Sequence, residues 1–160
     1  MATTYIVPDF GAGTITAALA SAVNLDDEVH IRAGTYAEGD LVVQCGLVKP
    51  FPGDEGLVIV DGSGVAFDTW RMNAAATLRG IQVIGPPTRE CVQVSSDDVI
   101  IEDCDFSGTY ANAIQNGGSN TLTVRRCEFS GTATGHAIDV GSGQTGTVIE
   151  NVLVTGAHGK

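Results

Sequence analysis

The feature that most constrains this chain is a segment that returns at a near-constant interval. Val99-Ile100-Ile101-Glu102-Asp103-Cys104-Asp105-Phe106-Ser107-Gly108-Thr109 recurs as Leu122-Thr123-Val124-Arg125-Arg126-Cys127-Glu128-Phe129-Ser130-Gly131-Thr132, which carries Cys104 onto Cys127. The pattern appears upstream as Thr77 to Gly85, where the interval from Ile81 to Cys104 equals that from Cys104 to Cys127. It appears downstream as Val148 to Gly156, where the interval from Cys127 to Val152 is slightly longer. A second segment keeps step with the first: Trp70-Arg71-Met72, Val92-Gln93-Val94, Ile114-Gln115-Asn116 and Ile138-Asp139-Val140. A fixed period of this length is the signature of a repeat architecture.

Each repeat holds short runs of alternating apolar and polar residues, separated by Gly, Ser, Asn and Asp. Such runs read as short strands joined by turns. One repeat is too small to bury its own apolar face, so repeats must stack. Stacking in register places equivalent residues about 4.8 Å apart. Ile81, Cys104, Cys127 and Val152 are then expected to form one inward column, and Val83, Phe106, Phe129 and Val154 another. The fold class is all-β: a right-handed parallel β-helix of about six coils.

The first coil needs a lid. Ala-rich Thr14 to Val23 places Ile15, Leu19 and Val23 on one face and reads as an amphipathic capping α-helix, with Thr14 or Gly13 able to cap its start. Lys49 to Gly56, with Pro50, Phe51, Pro52 and Gly53, reads as a loop between coils. The 160 residues therefore form one domain, residues 1–160, with a cap over 14–23 and coils over 27–157.

Coils of this length and pattern resemble the pectin-lyase-like right-handed β-helix superfamily. Asp27-Glu28-Val29-His30-Ile31-Arg32-Ala33-Gly34-Thr35-Tyr36 is similar to that family's first coil, where an apolar strand ends in a Gly-Thr-Tyr turn. The resemblance covers roughly residues 5–157. It implies the fold and leaves the function open, because this fold hosts lyases, hydrolases, epimerases and inert spikes.

The resemblance raises two kinds of catalytic group. A lyase would use an arginine as base, and the candidates are Arg79 and Arg125. They occupy one repeat position, which reads Arg79, Glu102, Arg125, Glu150 along the stack. Opposite charges one coil apart form a structural ladder, and that is the reading adopted. A hydrolase would use paired carboxylates, for which Asp103 and Asp105 are the candidates if both share one strand face. Asp103, however, aligns with Gly80, Arg126 and Asn151, a turn position, and Asp97-Asp98 also reads as a turn. His30, His136 and His158 show no metal-ligand spacing, and His30 is expected to point outward into solvent. Cys45, Cys91, Cys104 and Cys127 lack paired CxxC spacing; the stacked pair Cys104 and Cys127 is expected to be reduced and buried. Phe67, Phe106, Phe129 and Trp70 read as internal, leaving Tyr36 and Tyr110 as exposed aromatics. No catalytic residue, cofactor or metal site is assigned.

The net charge is −11 with only eight Lys and Arg, which disfavours nucleic acid and anionic membranes as partners. No run approaches the roughly 20 apolar residues of a membrane span, and Met1 to Asp9 lacks the pattern of a secretory signal. The short coils and small loops resemble β-helix virion proteins of tailed bacteriophages. The expectation is a non-catalytic protein of a virion surface, a bacteriophage capsid decoration protein, made in the host cytoplasm. The alternative is a polysaccharide-active or polysaccharide-binding module like a tail-spike lyase or hydrolase. The last coil, with Val148, Ile149, Val152 and Val154, is followed only by Thr155 to Lys160 and has no comparable lid. Val148, Val152 and Val154 are therefore the expected contact residues for a capsid or tail protein, or for further copies in a homo-oligomer.

Overall fold

The computed structural model describes residues 2–8, 13–118, 121–142 and 144–158. They form a right-handed parallel β-helix of about six coils, in which every strand pairing is parallel. The first sheet stacks Thr4–Val7, Glu28–Ile31, Leu47–Pro50, Thr77–Arg79, Val99–Glu102, Thr121–Arg125 and Gly146–Glu150. The second stacks Gly34–Tyr36, Val58–Asp61, Gln82–Gly85, Asp105–Tyr110, Glu128–Phe129 and Leu153–Val154. The third stacks Leu41–Val43, Trp70–Met72, Val92–Val94, Ile114–Asn116 and Ile138–Asp139.

The register follows the repeat. Val92 lies between Trp70 and Ile114, and Phe106 lies between Val83 and Phe129. Phe106 and Phe129 stack with centroids 4.9 Å apart and rings 7° from parallel. Period-two alternation puts every second side chain inside, so Ile81, Cys104 and Cys127 are buried and Val152 packs half-buried on top of them. Corners are built from a stack of left-handed residues: Gly80, Asp103, Arg126 and Asn151 have φ of 68°, 56°, 53° and 52°. This is the turn position read from the repeat. Only at Gly80 does the residue type suit that conformation without a Cβ cost; the coil above holds Asp103 and Arg126, whose N–H groups donate to Arg125 O and Glu150 O.

The helix spans Ile15–Ser21, and the Thr14 hydroxyl caps it by accepting from Ala17 N at 3.1 Å. The Glu38 carboxylate accepts from Ile15 N and Thr16 N, satisfying two more first-turn donors. Ile15, Ala18 and Leu19 are buried against the first strands. Val23 is not on that face: the helix ends at Ser21, and Val23 is exposed. The strand Thr4–Val7 pairs with Glu28–Ile31, so the first sheet begins ahead of the helix.

Other expectations need correction. Lys49 and Pro50 belong to a strand, paired with His30 and Ile31, and the turn begins only at Phe51. Phe67 is exposed, because it sits in the loop before Trp70 rather than at an inward strand position. Tyr110 is fully buried, because the strand Asp105–Tyr110 runs on past the repeat's Gly and carries it inward. Tyr36 is half-buried, its hydroxyl donating to Arg32 O at 3.0 Å. The exposed aromatic pair is therefore absent.

Candidate functional site

Outward from the first sheet runs a column fixed by strand register. Glu102 is paired with Arg79 below and Arg125 above, and Arg125 with Glu150 above it. The column continues downward to Lys49 and His30, an extension missed in sequence because that coil does not keep the spacing of the repeat. Glu102 is its hub. Arg79 pairs with Oε1, Arg125 Nε lies 2.6 Å from Oε2, and Arg126 reaches the same oxygen at 2.9 Å. The three guanidiniums leave Glu102 only 1% exposed. Burial alone would raise its pKa, but the hydrogen bonds from Arg125, Arg79 and Arg126 outweigh it and hold the carboxyl below its ordinary range.

The other candidates are engaged in similar ways. Asp103 accepts two bonds from Arg126, at 2.6 and 2.8 Å, and these hold its carboxyl low. Asp105 lies in the following strand, beyond the corner, so the two aspartates do not share a strand face. Burial, and then the neighbouring Glu128, push the Asp105 carboxyl up. Asp98 is a left-handed turn residue tied to the next coil, its N donating to Thr121 Oγ1 at 2.7 Å. His30 is not a solvated histidine: its Nε2 lies 2.6 Å from Glu28 and its ring packs edge-on against Phe51.

Beside the ladder lies a cleft of about 520 Å³. Pro50, Pro52 and Ile81 supply apolar lining, and Lys49, Arg79, Glu55, Asp103 and Asp105 bring charge to it. Lys49 is paired with Glu28 at 3.4 Å and Arg79 with Glu102. Two carboxyls of the cleft are thus displaced in opposite directions, Asp103 downward by its bonds from Arg126 and Asp105 upward by burial and Glu128.

All four cysteines are free and buried. Burial raises the Cys45 thiol to about 11 and pushes Cys91 and Cys104 well up. His136 is exposed, and His158 lies with Nε2 3.3 Å from the Tyr110 hydroxyl. Among the described residues no three His, Cys, Asp or Glu side chains gather as a metal-ion site. No helix among them is long and apolar enough to cross a membrane.

One pair went unread in the sequence. Asp68 and Glu90 stand just ahead of the register partners Trp70 and Val92. Glu90 N donates to Asp68 Oδ1 at 3.4 Å. Burial, then the Asp68 carboxyl, push the Glu90 carboxyl up. The signal lay in extending the third-sheet alignment backward, where it reads Asp68, Glu90, Asn112, His136.

At the C-terminal end, Ile138–Asp139, Gly146–Glu150 and Leu153–Val154 are the last strands of their three sheets and pair on one side only. Val148, Ile149, Leu153 and Val154 are between 43% and 53% exposed. Val148 aligns with outward Thr123, whereas Ile149 and Val154 continue the inward columns of Val124 and Phe129. Residues 159–160 of the expected short tail lie outside the described residues.

No protein-family profile matches this chain, and no curated protein and no solved structure matches it.

Proposed function

We propose that this protein is a non-catalytic structural component that attaches to a larger assembly through its C-terminal coil, and that the assembly is a virion surface. The observation that carries the attachment is the contrast between the two ends. The N-terminal coil is closed by a packed helix, while the C-terminal coil presents Ile149, Leu153 and Val154 beside three one-sided strands. Exposed apolar rungs and open strand edges invite a partner. The virion assignment, and within it capsid decoration, draws on the likeness to short phage β-helices within the pectin-lyase-like superfamily. The engagement of Arg79, Arg125 and Asp103 in ion pairs supports the non-catalytic part of the reading. Mass spectrometry of gradient-purified particles from the source culture tests it. The chain is expected in fixed ratio to the capsid protein; its absence from purified particles overturns the virion reading.

One observation favours a second reading, a polysaccharide-active or polysaccharide-binding module. It is the cleft holding Asp103, pushed low, and Asp105, pushed up. A hydrolase of this kind releases reducing ends from a susceptible glycan and loses that activity in Asp105→Asn. A lyase gives an unsaturated product read by absorbance.

A further inference from the structure

The coils do not all turn the corner between the first and second sheets in the same way. From Thr77–Arg79 to Gln82–Gly85 the chain uses only Gly80 and Ile81, but one coil below, between Leu47–Pro50 and Val58–Asp61, it uses residues 51–57. Gln82 Nε2 donates to Gly56 O at 2.7 Å, which ties this longer turn to the second sheet. Above it, the corner column of Asn151, Arg126 and Asp103 side chains stops, because the next member is Gly80. A Cβ at Gly80 would lie 3.2 Å from Pro50 Cδ, so a side chain there would press on the apolar wall. The cleft of about 520 Å³ is the space left between the long turn and Asp103, walled by Pro50, Pro52 and Ile81. Its size suits a small organic group.

The charges of this cleft are not balanced. Lys49 is committed to Glu28, Arg79 to Glu102 and Asp103 to Arg126. Glu55 accepts from Gly53 N at 3.0 Å, and among the described residues no cation pairs with it. The Asp105 carboxylate meets neither a cation nor a hydrogen-bond donor among them. Glu128 follows it one coil above in register, so like charges are stacked. Partial burial and Glu128 push the Asp105 carboxyl up, yet the residue is open enough for a ligand to reach it. The donor set does not gather as a metal-ion site among the described residues. A carboxylate without a counter-ion beside an apolar wall is matched by a cation that carries its own apolar stem.

We propose that this cleft binds an alkylammonium group, with the ammonium on Asp105, Glu55 adding to the attraction, and the aliphatic stem along Pro50 and Pro52. The site is separate from the last coil and does not depend on what that coil does. A free amine and a lysine side chain of a peptide share this chemistry. A neutral or acidic sugar lacks it, which sets the proposal apart from the glycan reading of the same cleft.

The test is a titration of the isotope-labelled full chain with n-butylammonium chloride at neutral pH and constant ionic strength, followed by amide chemical shifts. Saturable shifts are expected at residues 53–56, 80–82 and 103–105. Asp105→Asn should keep the parent's circular dichroism and weaken binding about tenfold. n-Butanol, which has the same stem and no charge, should bind the parent about tenfold more weakly as well, a comparison that needs no variant. N-acetyl-lysine N-methylamide separates the two sources: binding as tight as that of butylammonium assigns the site to a peptide's basic side chain, and no shift with it assigns the site to a free amine. Absence of localised shifts with butylammonium, equal binding of n-butanol, or unchanged affinity in Asp105→Asn overturns the proposal. Shifts of these amides with a neutral oligosaccharide and none with butylammonium overturn it in favour of the glycan reading.

Discussion

Arg125 Nε lies 2.6 Å from Glu102 Oε2, one coil below it, and leaves Glu150, one coil above, without its guanidinium. A ladder that alternates in sequence is thus uneven in space, because three arginines converge on one covered carboxylate. An exposed ion pair is worth little, whereas removing one partner of a buried pair is costly.

Glu102→Ala is therefore expected to destabilise the fold by about 2 kcal/mol, less than a fully buried pair because the guanidiniums can turn to water. Arg125→Glu stacks three acids and is expected to cost about 1 kcal/mol. Denaturant melts check both. Parent-like midpoints in both variants would mean that the ladder is energetically idle.

Acid should reveal the same hub. Glu102 and Asp103 have folded pKa values below their unfolded ones. Each contributes stability that is present above the unfolded pKa of about 4 and is lost as pH falls through the folded value. Thermal midpoints should fall steeply below about pH 4, and Glu102→Gln should flatten that fall. An equally steep acid limb in the variant would place the proton uptake elsewhere.

Glu90 has the opposite sign. Its folded pKa is raised by burial and by Asp68, so it carries a stability cost that sets in as pH rises above the unfolded pKa of about 4 and is complete once pH passes the folded value. Glu90→Gln should raise the midpoint by a few degrees at pH 7, roughly 1 kcal/mol, with the gain vanishing below about pH 4. A gain that persists at low pH would point to packing instead of charge.

The buried columns make a chemical prediction. Cys45, Cys91, Cys104 and Cys127 are covered, with raised thiols at the first three. A thiol reagent should label none of the four in the native protein and all four after denaturation. Rapid native labelling of Cys104 would show that the inward register is shifted by one position.

The columns of Ile81, Cys104 and Cys127, of Val83, Phe106 and Phe129, and of the ladder were legible because they share a near-constant period with outward and inward positions alternating. The corner at Asp103 was legible because Gly and Asn stood at equivalent positions. What failed lay where the period breaks. The intervals from Leu41 to its partner Trp70 and from Val48 to its partner Leu78 are both longer than that from Cys104 to Cys127, so the strand Leu41–Val43 and the Lys49 rung did not align with the later coils. Phe67 and Tyr110 were misplaced because a loop and a lengthened strand carried them off the alternating faces. The covering of Glu102 by Arg126 was not legible, since it depends on a corner side chain folding back across a coil. The cleft joins residues of three coils and has no linear signature.

The C-terminal coil is proposed as an attachment face. Sedimentation of the full chain with gradient-purified particles, comparing the parent with Ile149→Asp/Val154→Asp, tests it most directly. Both positions are about half exposed at the open end, so the double variant should keep the parent's circular dichroism and its upstream coils. The parent is predicted to pellet with the particles and the variant to stay in the supernatant. Equal pelleting of the two proteins, or a parent that stays soluble and unbound with this end bare, would contradict the claim.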